Sequence, residues 1–359
     1  MKTIVIAEAG VNHNGSIDLA LKLIEKAVEA GADAVKFQTF RAENVISSAA
    51  PKAEYQKAAT GESESQLEMV RKLELTADDH WRLLERCREL GIEFLSTPFD
   101  VPSAEMLVRK LGLARLKIPS GEVTNGPFLL TLGGYKLPTI LSTGMCTLGE
   151  IETALGVLAF AFTDFPAPPS LAAFGEAFRS AQGQKALKER VTLLHCTTEY
   201  PAPFGETNLR AMDTLSAAFG LPVGFSDHTP GISIAIAAVA RGAMVIEKHF
   251  TLDRALPGPD HTASLEPAQL ADMIRSIREV ELALGDGLKI ATPSEAANRA
   301  IARRSLTVLQ DVKAGTPWTP ENLGCKRPGS GISPFEYWNH IGTKADRDYE
   351  RDALLGTTN

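Results

Sequence analysis

Residues 222–249, PVGFSDHTPGISIAIAAVARGAMVIEKH, hold two short apolar runs, 222–225 and 244–246, separated by a helix-like stretch at 232–241. This spacing predicts a strand, a crossover helix and a second parallel strand, because brief apolar runs bounded by turn signals suit strands buried on both faces. Each run stops at a polar cluster: Ser226-Asp227-His228 after the first, Glu247-Lys248-His249 after the second. Polar groups at the same end of successive buried strands mark a functional face.

Working outward, the same unit recurs. Further apolar runs lie at 3–9, 34–37, 92–95, 116–118, 138–141 and 191–194. Between and after them come helix-compatible segments at 17–30, from Thr76 onward, and at 102–111, 127–132, 148–162, 209–219 and 267–284. In the first, apolar residues fall at 17, 20, 21, 24, 27 and 28, a helical period that ends at Gly31, a residue suited to a helix C-terminus. Strand then helix, eight times over, predicts an α/β fold of the (β/α)8 TIM-barrel type. The competing open, doubly wound sheet often carries a glycine-rich G-x-G-x-x-G turn after its first strand. Here residues 8–15 read EAGVNHNG instead.

Two stretches interrupt the rhythm: 41–71, expected as a long loop after strand two, and 163–190, expected as an insertion before strand six. After Gly285-Asp286-Gly287 the texture changes. The reading is a barrel domain over 1–285, a linker over 286–304 and a small, mainly β domain over 305–359.

Of 359 residues, 44% are hydrophobic and 23% charged, the composition of an ordinary globular protein. The net charge of −7 argues against a general nucleic-acid surface, so an anionic ligand must be held locally. Cys87, Cys146, Cys196 and Cys325 form no C-x-x-C pair, which suggests reduced thiols rather than a disulfide framework. Met1-Lys2 runs straight into the first strand and no apolar stretch is long enough to span a bilayer, so the expected compartment is a bacterial-type cytoplasm.

The strand ends supply the chemistry. Lys36 and Lys117, with the hydroxyls of Thr97, Ser120, Ser142 and Ser226, suit a cage for phosphate and carboxylate groups. A lysine there could alternatively form a Schiff base, as in a metal-independent aldolase, or a structural ion pair. His228 and His249 follow neighbouring strands and could share a divalent cation that keeps open positions for substrate. Either could equally be a hydrogen-bonded structural histidine, with Asp227 orienting its neighbour. Glu8 and Glu122 are candidate acid–base groups or salt-bridge partners, and Gln38, Tyr200 and Asp260 have the hydrogen-bonding character of polyol recognition.

At these residues the chain resembles the sialic acid synthase family, which includes N-acetylneuraminate, legionaminate and pseudaminate synthases. The resemblance is carried, in order, by IAEAGVNHNGS (6–16), AVKFQTF (34–40), FLSTPFD (94–100), LKIPSGE (116–122), ILSTGM (140–145), LLHCTTEYPAPF (193–204), GFSDHTPG (224–231), IEKHFTLDRALPGPDH (246–261) and CKRPGSGI (325–332). It implies a barrel followed by an antifreeze-like (SAF) domain, in a domain-swapped homodimer where each small domain caps the partner's barrel. It also implies condensation of phosphoenolpyruvate with an N-acetylmannosamine-type sugar, assisted by Mn2+, with Mg2+ or Co2+ as substitutes.

By the same resemblance, His228 and His249 are metal ligands. Lys36, Thr97, Lys117, Ser120, Ser142 and Ser226 meet phosphoenolpyruvate, while Gln38, Tyr200 and Asp260 meet the sugar. Glu8 and Glu122 lie near the reacting carbons, and Arg327 reaches the sugar's acyl group from the other subunit. Asp227 and Thr198 complete the expected substrate-binding set. Some family members have Asn at the position of Thr198, and Thr198-Glu199 looks more like the legionaminate branch. A non-catalytic sugar- or ice-binding protein is the alternative from another class. The charges of Lys326-Arg327 suit a flat ice-binding array poorly.

Overall fold

The computed structural model describes residues 2–61 and 63–356, and the chain divides into two compact units at Gly285. In the first, eight strands are β1 (Ile4–Gly10), β2 (Ala34–Thr39), β3 (Glu93–Pro98), β4 (Leu116–Ile118), β5 (Thr139–Ser142), β6 (Val191–Cys196), β7 (Val223–Asp227) and β8 (Val245–His249). All pair in parallel in the order β3-β2-β1-β8-β7-β6-β5-β4, and β3 also lies against β4. The result is a nearly closed eight-stranded barrel with helices around it, consistent with the (β/α)8 expectation.

The helices begin and end where their sequences dictate. Ser16 caps Ile17–Glu29 by accepting from the Leu19 amide, and Thr76 with Asp79 forms a reciprocal capping box ahead of Ala77–Leu90. Gly91 ends the latter in the left-handed conformation that glycine adopts without strain.

Side chains on each strand alternate between the helical shell and the barrel interior. Val5, Ala7, Val35, Phe37, Phe94, Leu116, Ile118, Leu141, Leu193, Phe225 and Ile246 join the large core cluster with the helices. Ile6, Ala34, Leu95, Ile140, Leu194 and Val245 form a separate apolar layer. On β7 the corresponding position is Gly224, where a Cβ would stand 2.3 Å from the Val245 carbonyl oxygen and 2.7 Å from Leu194 Cδ2. Glycine therefore lets β7 and β8 close up at this level.

The two interruptions are more ordered than their sequences suggest. The stretch expected as a loop at 41–71 contains three short helices, Ala42–Val45, Glu54–Thr60 and Gln66–Arg71. The last is opened by a Ser65/Glu68 capping box. The segment 163–190 holds two more, Leu171–Arg179 and Ala181–Arg190. Among the described residues no helix is long and apolar enough to cross a membrane.

In the second unit a helix, Pro293–Ala302, precedes an antiparallel pair, Ser305–Val308 with Leu323–Lys326. Isolated bridges join Thr307 to Leu354, Val312 to Tyr349 and Pro317 to Lys344. Leu306, Val308, Val312, Trp318, Leu323, Ala345, Tyr349 and Leu355 make its small core.

Candidate active site

Two residues beyond each member of the apolar layer, toward the C-terminal ends of the strands, the interior becomes polar. Ile6 gives way to Glu8, Ala34 to Lys36, Leu95 to Thr97, Ile140 to Ser142, Leu194 to Cys196 and Val245 to Glu247. Gly224 is followed by Ser226, and β4 contributes Lys117. Residues of this level, with His228, His249, Gln38, Tyr200, Ser120, Thr198 and Asp260, line a cavity of about 510 Å³. That volume suits small-molecule substrates.

The polar layer is a bonded cluster. Lys36 Nζ lies 2.8 Å from Glu8 Oε2, 3.7 Å from Glu247 Oε2 and donates to Thr97 Oγ1 at 2.8 Å. Lys117 Nζ donates to Ser142 Oγ at 2.8 Å and to Glu247 Oε1 at 3.3 Å, and Ser226 Oγ donates to the same oxygen at 3.0 Å. All of these side chains are buried.

Their protonation follows from how many opposite charges each one faces. Burial works against the Glu247 carboxylate, yet Lys117 and Lys36 together hold its pKa below the ordinary range. Glu8 must share Lys36 with Glu247, so burial prevails and pushes its carboxyl upward. Burial also opposes the charge on Lys36, but Glu247 and Glu8 more than offset it and keep the amine a cation. A Schiff-base lysine needs a free amine, which Lys36 does not offer; Lys117 goes the other way, burial lowering its pKa despite Glu247, so the Schiff-base alternative is opposed at Lys36 alone.

The two histidines stand side by side, ring centroids 5.6 Å apart, with Tyr200 4.2 Å from His228 and 5.6 Å from His249. Burial holds His228 down to about 4 and His249 well below its usual value, with His228 and Lys36 adding to the effect on the latter. Both are neutral donors at neutral pH. His228 Nδ1 donates to the Thr197 carbonyl at 2.6 Å, which fixes its tautomer and leaves Nε2 with a lone pair. His249 Nδ1 is buried with no hydrogen-bond partner among the described residues, 3.9 Å from Asp260 Oδ2. An orphaned imidazole nitrogen beside an oriented one suits a cation. Among the described residues no three His, Cys, Asp or Glu converge on one point, so such a cation would take its other ligands from water and substrate.

Gly144 closes the corner beneath Thr198. Its amide donates to Ser120 Oγ at 2.9 Å, and a Cβ there would come within 2.3 Å of Thr198 Oγ1.

Of the residues expected within the barrel unit, two are absent from the cavity wall. Asp227 points outward from β7: its Oδ2 pairs with Lys248 at 2.9 Å and its Oδ1 accepts from Thr229 N and Oγ1, all beneath the helical shell. The Glu122 carboxylate accepts from Asn125 Nδ2 at 2.7 Å, in the short turn after β4. Arg327 belongs to the second unit. Conversely, Glu247 sits at the centre of the cluster although its charge alone did not single it out. Its signal is parity with His249, since Val245, Glu247 and His249 share one side of β8.

A nearly closed parallel barrel that holds two buried lysines, two buried glutamates and a histidine pair at the C-terminal ends of its strands has its site where enzymes of the (β/α)8 class have theirs. The chain belongs to the NeuB family of sialic acid synthases, whose model matches residues 23–289. It is 50% identical over 354 residues to an N,N'-diacetyllegionaminic acid synthase of Campylobacter jejuni, covering 99% of each chain. A protein of the same name from Legionella pneumophila is 46% identical over 355 residues, 99% of this chain and 94% of that one. Among solved structures, an N-acetylneuraminic acid synthetase from Leptospira borgpetersenii, in complex with citrate, superposes with a TM-score of 0.66 at 33% identity, covering 83% of this chain and 90% of that one.

Proposed function

We propose that the protein condenses phosphoenolpyruvate with an open-chain N-acetylmannosamine-type sugar and water, giving a nine-carbon 2-keto sugar acid and phosphate. The sugar we favour is 2,4-diacetamido-2,4,6-trideoxy-mannose, in line with the names of the Campylobacter and Legionella relatives and with Thr198-Glu199. The observation that carries the reading is the joint burial of Lys36 and Lys117, with Thr97, Ser142 and Ser226, beside the His228/His249 pair.

In this reaction C3 of phosphoenolpyruvate attacks the sugar aldehyde and positive charge develops at C2. Water adds there, and the tetrahedral intermediate loses phosphate by C–O cleavage. Lys36 and Lys117 hold the phosphate and carboxylate of one substrate in register with the other, which lowers the entropic part of the barrier. Glu8, raised toward neutral pH by burial, is positioned to take a proton from the adding water. Gln38, 3.5 Å from Glu8, and Tyr200 and Asp260 orient the sugar. His228 and His249 would hold a divalent cation, Mn2+ in the first place and Mg2+ or Co2+ as substitutes; when bound it would polarise the aldehyde oxygen.

The second unit is read as an antifreeze-like SAF cap. Its Arg327 would meet the sugar's acyl group in the partner's barrel of a domain-swapped homodimer, and the expected compartment is the cytoplasm. Deleting 305–359 should then sharply raise KM for the sugar. The primary test is phosphate release from phosphoenolpyruvate with Mn2+ and either the diacetamido sugar or N-acetylmannosamine. Release should require both substrates, and none with any hexosamine refutes the proposal.

A further inference from the structure

We infer that the excursion between β2 and β3 is the specificity element of the site: it supplies an apolar wall for a deoxygenated sugar terminus and an amide pair for a second acetamido group. The inference rests on the condensing reaction proposed above and assigns residues to its choice of sugar.

The wall is a cluster of its own, separate from the main core. Val11, Phe40 and Leu73 are buried together with Val70 and Phe99 packed on them, and all five line the cavity, joined by Ile46. Phe40 and Phe99 meet edge to face with centroids 6.2 Å apart. The partly exposed members, Val70, Phe99 and Ile46, would bury more apolar area against an apolar ligand surface.

Gln56 and Gln66 line the same end of the cavity. Gln56 Oε1 accepts from the Ala53 amide at 3.0 Å and from Gln66 Nε2 at 3.2 Å. Among the described residues the Gln56 NH2 group and the Gln66 carbonyl oxygen make no hydrogen bond, which leaves one as donor and one as acceptor. An acetamido group presents the complement, a carbonyl acceptor and an N–H donor.

The excursion is preorganised. The Glu74 carboxylate accepts from Ala42 N at 2.7 Å and from Arg41 at 3.0 Å, tying its two ends together. Buried Lys52 donates to Thr60 Oγ1 and to the Gly61 carbonyl, both at 3.0 Å, bracing its middle. Little ordering is left to do when a ligand arrives.

Strand order sets the direction. The histidines end β7 and β8, Glu8 and Gln38 stand on β1 and β2, and the wall lies beyond β2 and β3, so these groups follow one another around the mouth. A sugar with its aldehyde at the histidines sends C4 to C6 past Gln38 toward the wall. There a 6-methyl group finds apolar contact and a 4-acetamido group finds the glutamines. The 6-hydroxyl of N-acetylmannosamine would lose water without gaining a partner.

The test is phosphate release with phosphoenolpyruvate and Mn2+, read as kcat/KM for 2,4-diacetamido-2,4,6-trideoxy-mannose and for N-acetylmannosamine, on wild type, Gln66→Ala and Ile46→Thr. Ile46 is only partly buried, so its variant guards against misfolding of the other. Wild type should favour the diacetamido sugar by about 100-fold, and that ratio should fall by about tenfold in each variant. A fall of about threefold or more in either variant supports the assignment. If wild type uses both sugars but neither variant moves the ratio that far, or if it prefers N-acetylmannosamine, the inference is overturned while the condensing reaction stands. No phosphate from either sugar overturns both.

Discussion

The barrel interior holds two layers on the same strands, two residues apart, and they are chemical opposites. The lower one, Ile6, Ala34, Leu95, Ile140, Leu194 and Val245, is wholly apolar. The upper one packs Glu8, Lys36, Lys117 and Glu247 into equal burial. Desolvating charges costs stability unless each finds a partner, whereas apolar burial gains it. The contrast teaches that the lower layer holds the strands at their spacing, so that the upper layer can keep charges dry and ready for a substrate.

Changes in the two layers should therefore separate stability from activity. The largest effect is expected for His249→Ala, which should abolish Mn2+-dependent phosphate release while the circular dichroism spectrum stays native; normal turnover under strict metal control would remove the ligand assignment. Lys117→Met takes one cation from the cage and should lower kcat/KM for phosphoenolpyruvate by about 10²–10³-fold, a loss typical of a deleted transition-state donor. Unaltered steady-state kinetics would show that Lys36 alone suffices.

In the lower layer, Leu194→Ala should cost about 2–5 kcal/mol in denaturant unfolding, with KM for both substrates little changed. A variant of native stability and poor KM would invert the comparison. The smallest effect is in acid. His13, buried beyond β1, is pushed down to about 4 by burial, with His80 adding to it, and its Nδ1 accepts from Gly15 N. Its folded pKa lies below its unfolded value, so its contribution to stability is complete above about pH 6.5 and is lost as pH falls toward 4. Between pH 7 and 4.5 wild type should lose up to about 3 kcal/mol more than His13→Asn. Parallel pH profiles would show that this histidine is not a source of acid sensitivity.

Strand parity explains what could be read in advance. The apolar runs at 222–225 and 244–246 announced β7 and β8, and the polar residues after them announced the site. Parity within those residues was the unused signal: Ser226, His228, Glu247 and His249 face in, whereas Asp227 and Lys248 face out and pair with each other. The excursion at 41–71 was harder to read because its helices are four, seven and six residues long, too short to form on local preference alone. They are held by contacts distant in sequence, such as Arg41 N with Asp100 at 2.8 Å. At Glu122 the signal was local and went unused: Asn125, three residues on, is within reach of its carboxylate and engages it.

Gly224 has a consequence for how this enzyme can change. The absence of one carbon atom in the apolar floor lets β7 approach β8, and His228 and His249 ride on those two strands. Their separation is therefore set in part by the barrel floor, since His249 ends β8 and His228 directly follows β7, and in part by the Thr197 carbonyl that orients His228. On the reading proposed above, changes in the β2–β3 excursion alter the choice of sugar, while a single methyl group at 224, crowding the Val245 carbonyl, would disturb the histidine pair for every sugar alike.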